Sequence, residues 1–180
     1  MSGRRTGKAQ YVAFLGMLFA LVIVLSFLEA MITPALGLPP GVKPGLANIA
    51  VMYALFFLGV PQAMTLVVLK AAFVFITRGI VAGALSLSGG AMALFTMILL
   101  RRIVGRKSYF ILSVSGAVTH NIGQLLCLNL LLVQSVYTFY YLPVLLVSGL
   151  AMGTVTSVSM KALIPAVEKI NKDIIEKKYQ

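Results

Sequence analysis

The chain has 180 residues, of which 60% are hydrophobic and 11% are charged, and its mean hydropathy is +1.01. Soluble domains are about half apolar and about a quarter charged, so this composition excludes an ordinary water-soluble fold and predicts lipid as the solvent for much of the surface. The formal net charge of +11 would favour nucleic-acid binding in a soluble protein. Here the basic residues flank hydrophobic runs, as in multi-pass membrane proteins, and no nucleic-acid partner is expected.

Six hydrophobic runs approach or exceed the roughly 20 residues that a helix needs to cross a bilayer. They are residues 10–31, 45–58, 62–80, 87–104, 109–133 and 140–164. The second run is short because prolines and glycines precede it and Gly59-Val60-Pro61 ends it, so we expect it to be tilted or partly re-entrant. The sequence therefore predicts an all-α integral membrane bundle of about six transmembrane helices.

The basic clusters predict how the chain lies in the cell membrane. An even number of spans places both termini on one side, together with the basic loop 101–107, and the excess of lysine and arginine makes that side cytoplasmic. We expect a cytoplasmic basic N-terminus (1–9), a six-span domain (10–164) and a cytoplasmic charged tail (165–180).

Ionisable residues inside the bilayer are costly, by about 2.5–3.5 kcal/mol for a central lysine or arginine on insertion scales. Glu29 and Arg78 lie near the outer ends of the first and third spans, where they can pair with each other. Lys70 lies roughly 12 Å deeper than Arg78 by helix rise, with no obvious carboxylate left to pair with. We expect Lys70 to face a polar cavity and to contact a ligand. The alternative is a hydrogen bond to carbonyl groups of a neighbouring helix.

Helix direction adds a second argument for an external anion site. With the N-terminus inside, the second, fourth and sixth spans begin at the outer face, so their positive dipole ends point outward. The segment 86–90, which contains Ser88 and Gly89, is predicted to open the fourth span with exposed amides. Together with Lys43, Lys70 and Arg78 it predicts a site for a phosphate or carboxylate. For the glycines, helix packing is the alternative.

Two further sets of polar residues can be interpreted in two ways. His120 and Gln124 in the fifth span are four residues apart, so they share a helix face, and Asn121 lies beside them. These residues, and Asn48 near the start of the second span, serve either ligand contact or interhelical hydrogen bonding.

A stripe of small residues, Ala13, Gly16 and Ala20, lies on one narrow face of the first span. Such a stripe lets another helix approach closely, either within the bundle or in a partner subunit. The sequence alone does not choose between the two.

These residues form an ordered set that resembles the family called heptaprenyl diphosphate synthase component I, also known as the Gx transporter family. The matching segments are PGVKPGLAN (40–48), Leu69-Lys70, Arg78-Gly79, LSLSGG (85–90) and GAVTHNIGQ (116–124). The family is similar to the S components of energy-coupling factor (ECF) transporters, six-helix proteins that capture vitamins or related compounds from outside.

The resemblance implies partners and a binding region. Loops that join the first and second, third and fourth, and fifth and sixth spans would cover the ligand. The small-residue stripe would meet a transmembrane T subunit driven by ATPases, although Gly16 and Ala20 replace the usual alanine pair.

An enzyme is not expected. Chain-elongating prenyl synthases hold Mg²⁺ and diphosphate with clustered aspartates, because a hard cation needs several oxygen ligands. This chain has one aspartate, Asp173, and no recognisable catalytic, metal-binding, nucleotide-binding or other cofactor motif. The sequence favours a transporter subunit that binds an anionic or partly anionic compound, either vitamin-like or related to isoprenoids and quinones, from the external side. The alternative is an accessory membrane subunit of an isoprenoid or redox complex.

Overall fold

The computed structural model of the chain describes residues 3–37, 45–104 and 108–179, and every regular element in them is helical. The six α-helices are α1 (Gly3–Ile32), α2 (Asn48–Phe57), α3 (Val60–Arg78), α4 (Ile80–Val104), α5 (Tyr109–Leu128) and α6 (Leu142–Tyr179). Short 3-10 or π-helical segments cover Thr33–Leu36, Asn129–Val133 and Val136–Tyr141. The prediction of an all-α bundle is confirmed.

Five stretches in the described residues are long and apolar enough to cross a membrane. They are Leu15–Ala35, Val60–Arg78, Ile80–Val104, Tyr109–Val133 and Val136–Ala162. Large apolar side chains cover the outside of the bundle, including Ile76, Ile80 and Ile103, each more than 70% exposed. An apolar exterior of this kind is stable only against lipid.

The α2 helix lies at the centre of the bundle. It has ten residues and therefore spans only about 15 Å. It packs against all five other helices, and its residues from Asn48 to Leu55 are buried. A helix that is apolar all round is stable only when neighbours surround it. The short second run of the sequence is thus an internal helix whose start, at Ala47 and Asn48, is buried in the protein.

The α3–α4 hairpin corrects one prediction. Gly79, with a φ of +88°, joins the two helices, and α4 begins immediately after it at Ile80. The segment 86–90 therefore lies inside α4 and does not open it, so its amides are not the exposed helix start that the sequence suggested. Gly83 instead packs on Phe75, where an added Cβ would come within 2.7 Å of the Phe75 Cβ.

The α5–α6 interface depends on two glycines of α6, Gly149 and Gly153, with the four-residue spacing typical of close helix packing. An added Cβ on Gly153 would lie 2.5 Å from the Val114 Cα, and the Ser113 hydroxyl donates a hydrogen bond to the Gly153 carbonyl oxygen at 2.7 Å. The sequence analysis did not single out this pair, although its spacing is a readable signal.

One end of the bundle carries exposed aromatic side chains. The rings of Tyr137 and Tyr140 stack with centroids 6.0 Å apart on the Val136–Tyr141 segment. Tyrosines of this kind concentrate where membrane meets water. They mark one interface, and the arginines at the end of α4 mark the other. Which interface is cytoplasmic stays a prediction, as do the boundaries at residues 9 and 164, which α1 and α6 cross without a break.

Candidate functional site

The fully buried Glu29 connects α1 to the start of α2. Its Oε1 accepts a hydrogen bond of 2.8 Å from the backbone N–H of Ala47, the residue that precedes α2. A helix start carries partial positive charge, which favours a carboxylate at this place. The other carboxylate oxygen, Oε2, is buried without a hydrogen-bond partner.

Lys70 of α3 is 2% exposed, and its Nζ has no hydrogen-bond partner in the described part of the chain. Glu29 is the charged group that acts on it electrostatically. The sequence analysis did not connect Lys70 with Glu29, and the two side chains form no hydrogen bond with each other in the part of the chain that the structure describes. The half-buried Arg78 donates from Nη2 to the carbonyl oxygen of Ser26 at 3.1 Å, so it fastens the end of α3 to α1.

Asn48, His120 and Gln124 come together through two glycines. An added Cβ on Gly45 would lie 3.1 Å from the Asn48 Nδ2 and 3.6 Å from the His120 Cδ2. An added Cβ on Gly89 would lie 2.7 Å from the Gln124 Cγ and 2.9 Å from the His120 Cε1. Both glycines thus let neighbouring segments approach the polar face of α5, and the expectation that His120 and Gln124 share a face is confirmed.

We call these side chains the buried polar cluster; its members are Glu29, Asn48, Lys70, His120 and Gln124. All five are at most 6% exposed. They come from α1, α2, α3 and α5, four elements that are distant in sequence but meet around the buried start of α2.

Two serines that the sequence analysis did not propose as ligand contacts extend this polar region. Ser26 is fully buried one turn before Glu29, and Ser86 of α4 is 2% exposed; neither hydroxyl has a hydrogen-bond partner. The contacts of Gly83 with Phe75 and of Gly90 with Val67 place Ser86 at about the depth of Lys70. The three-residue spacing of Ser26 and Glu29 was the available sequence signal.

Other predicted site residues serve helix packing in this structure. The Ser88 hydroxyl donates to the carbonyl oxygens of Leu85 and Gly123, at 3.1 and 3.2 Å. The Asn121 Nδ2 donates to the Leu145 carbonyl oxygen at 2.9 Å, and it also bonds to the Ser148 hydroxyl.

Asn121 therefore faces α6, away from His120 and Gln124. Its Oδ1 is buried without a partner. Lys43 lies outside the described residues.

The small-residue stripe lies on the outside of the bundle. Ala13, Gly16 and Ala20 are all exposed, and a Cβ added to Gly16 would meet no atom within 4 Å. Of the two uses that the sequence left open, close packing inside the bundle is not seen among the residues that the structure describes.

The buried polar cluster offers hydrogen-bond donors and acceptors and two ionisable groups of opposite charge. It combines one cation, one carboxylate, two amides and an imidazole in apolar surroundings, which is the usual composition of a small-molecule site. Within the described ranges, no three His, Cys, Asp or Glu side chains group closely enough to hold a metal ion.

A family model described as heptaprenyl diphosphate synthase component I matches residues 18–163. No curated protein and no solved structure gives a significant match. The matched range includes the second half of α1, all of α2 to α5, the membrane portion of α6 and every member of the buried polar cluster. The chain is a membrane-type helical bundle that belongs to the heptaprenyl diphosphate synthase component I family.

Proposed function

We propose that the chain is the membrane-embedded, substrate-binding subunit of a small-molecule transporter, similar in role to the S component of an ECF transporter. The observation that supports this role is the buried polar cluster. Its donors Lys70 Nζ and Asn48 Nδ2 and its acceptor Glu29 Oε2 are buried without hydrogen-bond partners. Unsatisfied polar groups inside a bilayer cost several kcal/mol each, and ionisable residues there usually mark ligand sites or pathways.

The cluster favours a partly anionic ligand. Glu29 acts electrostatically on Lys70 but forms no hydrogen bond with it among the described residues, so Lys70 remains available to an anionic group of a ligand. A compound with a carboxylate or phosphate for Lys70 and Asn48, and an N–H or O–H donor for Glu29, would satisfy all three groups. Vitamin-like compounds and polar precursors of isoprenoids or quinones have this combination. The ligand would arrive from the external side.

Asn48→Leu tests the site with little change in side-chain volume. The Asn48 Nδ2 makes no hydrogen bond among the described residues, so the fold should tolerate its loss. We expect the variant to bind the ligand about tenfold more weakly, since one hydrogen bond to a charged group contributes about 1.5–3 kcal/mol. The measurement is mass spectrometry of small molecules that co-purify with the parent and with the variant.

Thr77→Val is the matched control, because the Thr77 hydroxyl is exposed and bonds only to the Phe73 carbonyl oxygen of its own helix. It should retain the compound at the parent level. Equal retention by Asn48→Leu and the parent would show that the compound binds elsewhere, and would remove the main support for the transporter role.

The exposed stripe on α1 is the proposed contact with a T subunit. We expect Gly16→Leu to weaken co-purification of a partner membrane subunit and its ATPases while the ligand stays bound, because the change lies outside the bundle. Gly16→Ala, which adds one methyl group, should weaken docking less. If Gly16→Leu leaves assembly and uptake intact, the stripe faces only lipid.

The family description favours a second candidate, an accessory membrane subunit of a prenyl diphosphate synthase or a related redox complex. In that role the cluster would hold the bundle together. Affinity purification of the tagged chain from its native membrane separates the two roles: a T subunit with ATPases supports transport, and a soluble prenyl synthase subunit or electron-transfer proteins support the accessory role.

A further inference from the structure

A cleft of about 420 Å³ lies at the end of the bundle where α2 ends, α3 begins and α4 ends. Its lining residues are Leu55, Gly59, Val60, Ile98, Arg101 and Arg102. It shares no residue with the buried polar cluster and has no part in the function proposed above. We propose that this cleft, with its two arginines, binds the phosphate of an anionic phospholipid.

Arg101 is held in position by the protein. Its Nη1 donates to the Leu55 carbonyl oxygen at 2.6 Å, and its guanidinium lies 5.4 Å from the centre of the Phe56 ring. These contacts fix the guanidinium at the edge of the cleft, which lowers the entropy cost of binding an anion. Arg102, the next residue, is exposed and lines the same cleft.

The start of α3 adds partial positive charge to the cleft, while α2 and α4 end there, so the two arginines supply most of its positive charge. Gly59, with a φ of +114°, precedes the 19-residue helix α3, so the helix start and its partial positive charge lie in the cleft wall beside the arginines. The chain has four acidic residues. Glu29 is buried in the polar cluster, and the other three are in the tail beyond residue 167, which contains more lysines than acidic residues.

The surroundings of the cleft favour a lipid over a soluble anion as its ligand. Val60 in the cleft wall and Met64 one turn further along α3 are 39% and 45% exposed, and Leu99 and Ile103 on α4 are 50% and 73% exposed. These exposed apolar side chains lie on α3 and α4 within a turn or so of residues that line the cleft, where acyl chains could contact them. Basic pockets between membrane helices at the headgroup level are known to take anionic lipid headgroups.

The test is native mass spectrometry of the full-length chain in detergent, titrated with phosphatidylglycerol or phosphatidylcholine that have the same acyl chains. We expect the parent to prefer phosphatidylglycerol, and Arg102→Gln to lower that preference about fivefold, the contribution of one basic residue near a membrane surface. Arg101→Lys keeps the charge but loses the planar fork, and should lower the preference less. Arg4→Gln removes one charge from the N-terminus and should leave the preference unchanged.

The outcomes separate the possible anions. An Arg102→Gln variant that keeps the parent's preference would overturn the proposal. Inorganic phosphate at millimolar concentration should not displace the lipid. Displacement by phosphate would identify a site for soluble anions and would also overturn the proposal. Because the cleft is separate from the buried polar cluster, co-purification of the transported compound should be the same in Arg102→Gln and the parent.

Discussion

Lys70→Met is expected to destabilise the protein by about 3 kcal/mol, because it leaves the buried Glu29 carboxylate without its neighbouring cation. The sequence analysis assigned no carboxylate to Lys70, and without one the removal of its buried charge would leave the fold intact or stabilise it. The double variant Lys70→Met/Glu29→Gln should recover most of the loss. A glutamine at position 29 can still accept the hydrogen bond from the Ala47 N–H without a charge. The measurement is unfolding in sodium dodecyl sulfate, followed by circular dichroism.

Lys161→Met is the matched control, because Lys161 is exposed on α6 and its loss should leave stability unchanged. The four proteins of the Lys70 and Glu29 cycle give the coupling between the two side chains directly. A coupling near zero, with Lys70→Met as stable as the parent, would show that the two groups are not a charged pair. The proposed ligand chemistry, in which Glu29 and Lys70 act as acceptor and donor, would then need revision.

Gly153→Ala is expected to destabilise the bundle by about 1–3 kcal/mol through overpacking at the α5–α6 interface. The added Cβ would lie 2.5 Å from the Val114 Cα, and a backbone atom cannot move aside as the end of a flexible side chain can. Helix propensity alone would give the opposite sign, since alanine is favoured over glycine by about 1 kcal/mol in a helix interior. The same unfolding assay decides which effect is larger.

Two further glycines make this a graded test. Gly149→Ala, with its closest contact at 3.1 Å from the Val118 Cα, should cost less than Gly153→Ala, and Gly16→Ala, with no atom within 4 Å, should be neutral or stabilising. If all three variants gain stability equally, propensity dominates and the close packing of α5 on α6 is not a source of stability.

The sequence predicted the long helices well. A run of about 20 apolar residues indicates a helix that lies in lipid, whatever its tertiary contacts are. The sequence also placed Lys70 inside the bundle and His120 beside Gln124, since both follow from helical spacing. It misplaced the start of α4. The glycines and serines at 86–90 suggested a break, whereas a single residue, Gly79, makes the turn and the later glycines serve packing.

The sequence could not show which charged side chains interact, and the reason is physical. Counting residues gives depth along a helix but not which way a side chain points across the bundle. Glu29 and Arg78 were therefore candidates for a pair, yet Arg78 bonds to a backbone carbonyl and Glu29 bonds to Ala47 and acts on Lys70. Which of these groups interact depends on the position of α2. No local sequence pattern shows that α2 lies at the centre of the bundle.

The central position of α2 also affects how easily water and ions can pass through the bundle. Below the polar cluster, Val51, Met52 and Leu55 of α2 pack with Leu94 and Met97 of α4 in a continuous apolar core. Water and ions enter such a constriction only at high cost. The chain thus holds charged groups beside a closed apolar core, and under the proposed function a molecule bound at the polar cluster could not pass through that core unless the helices moved apart.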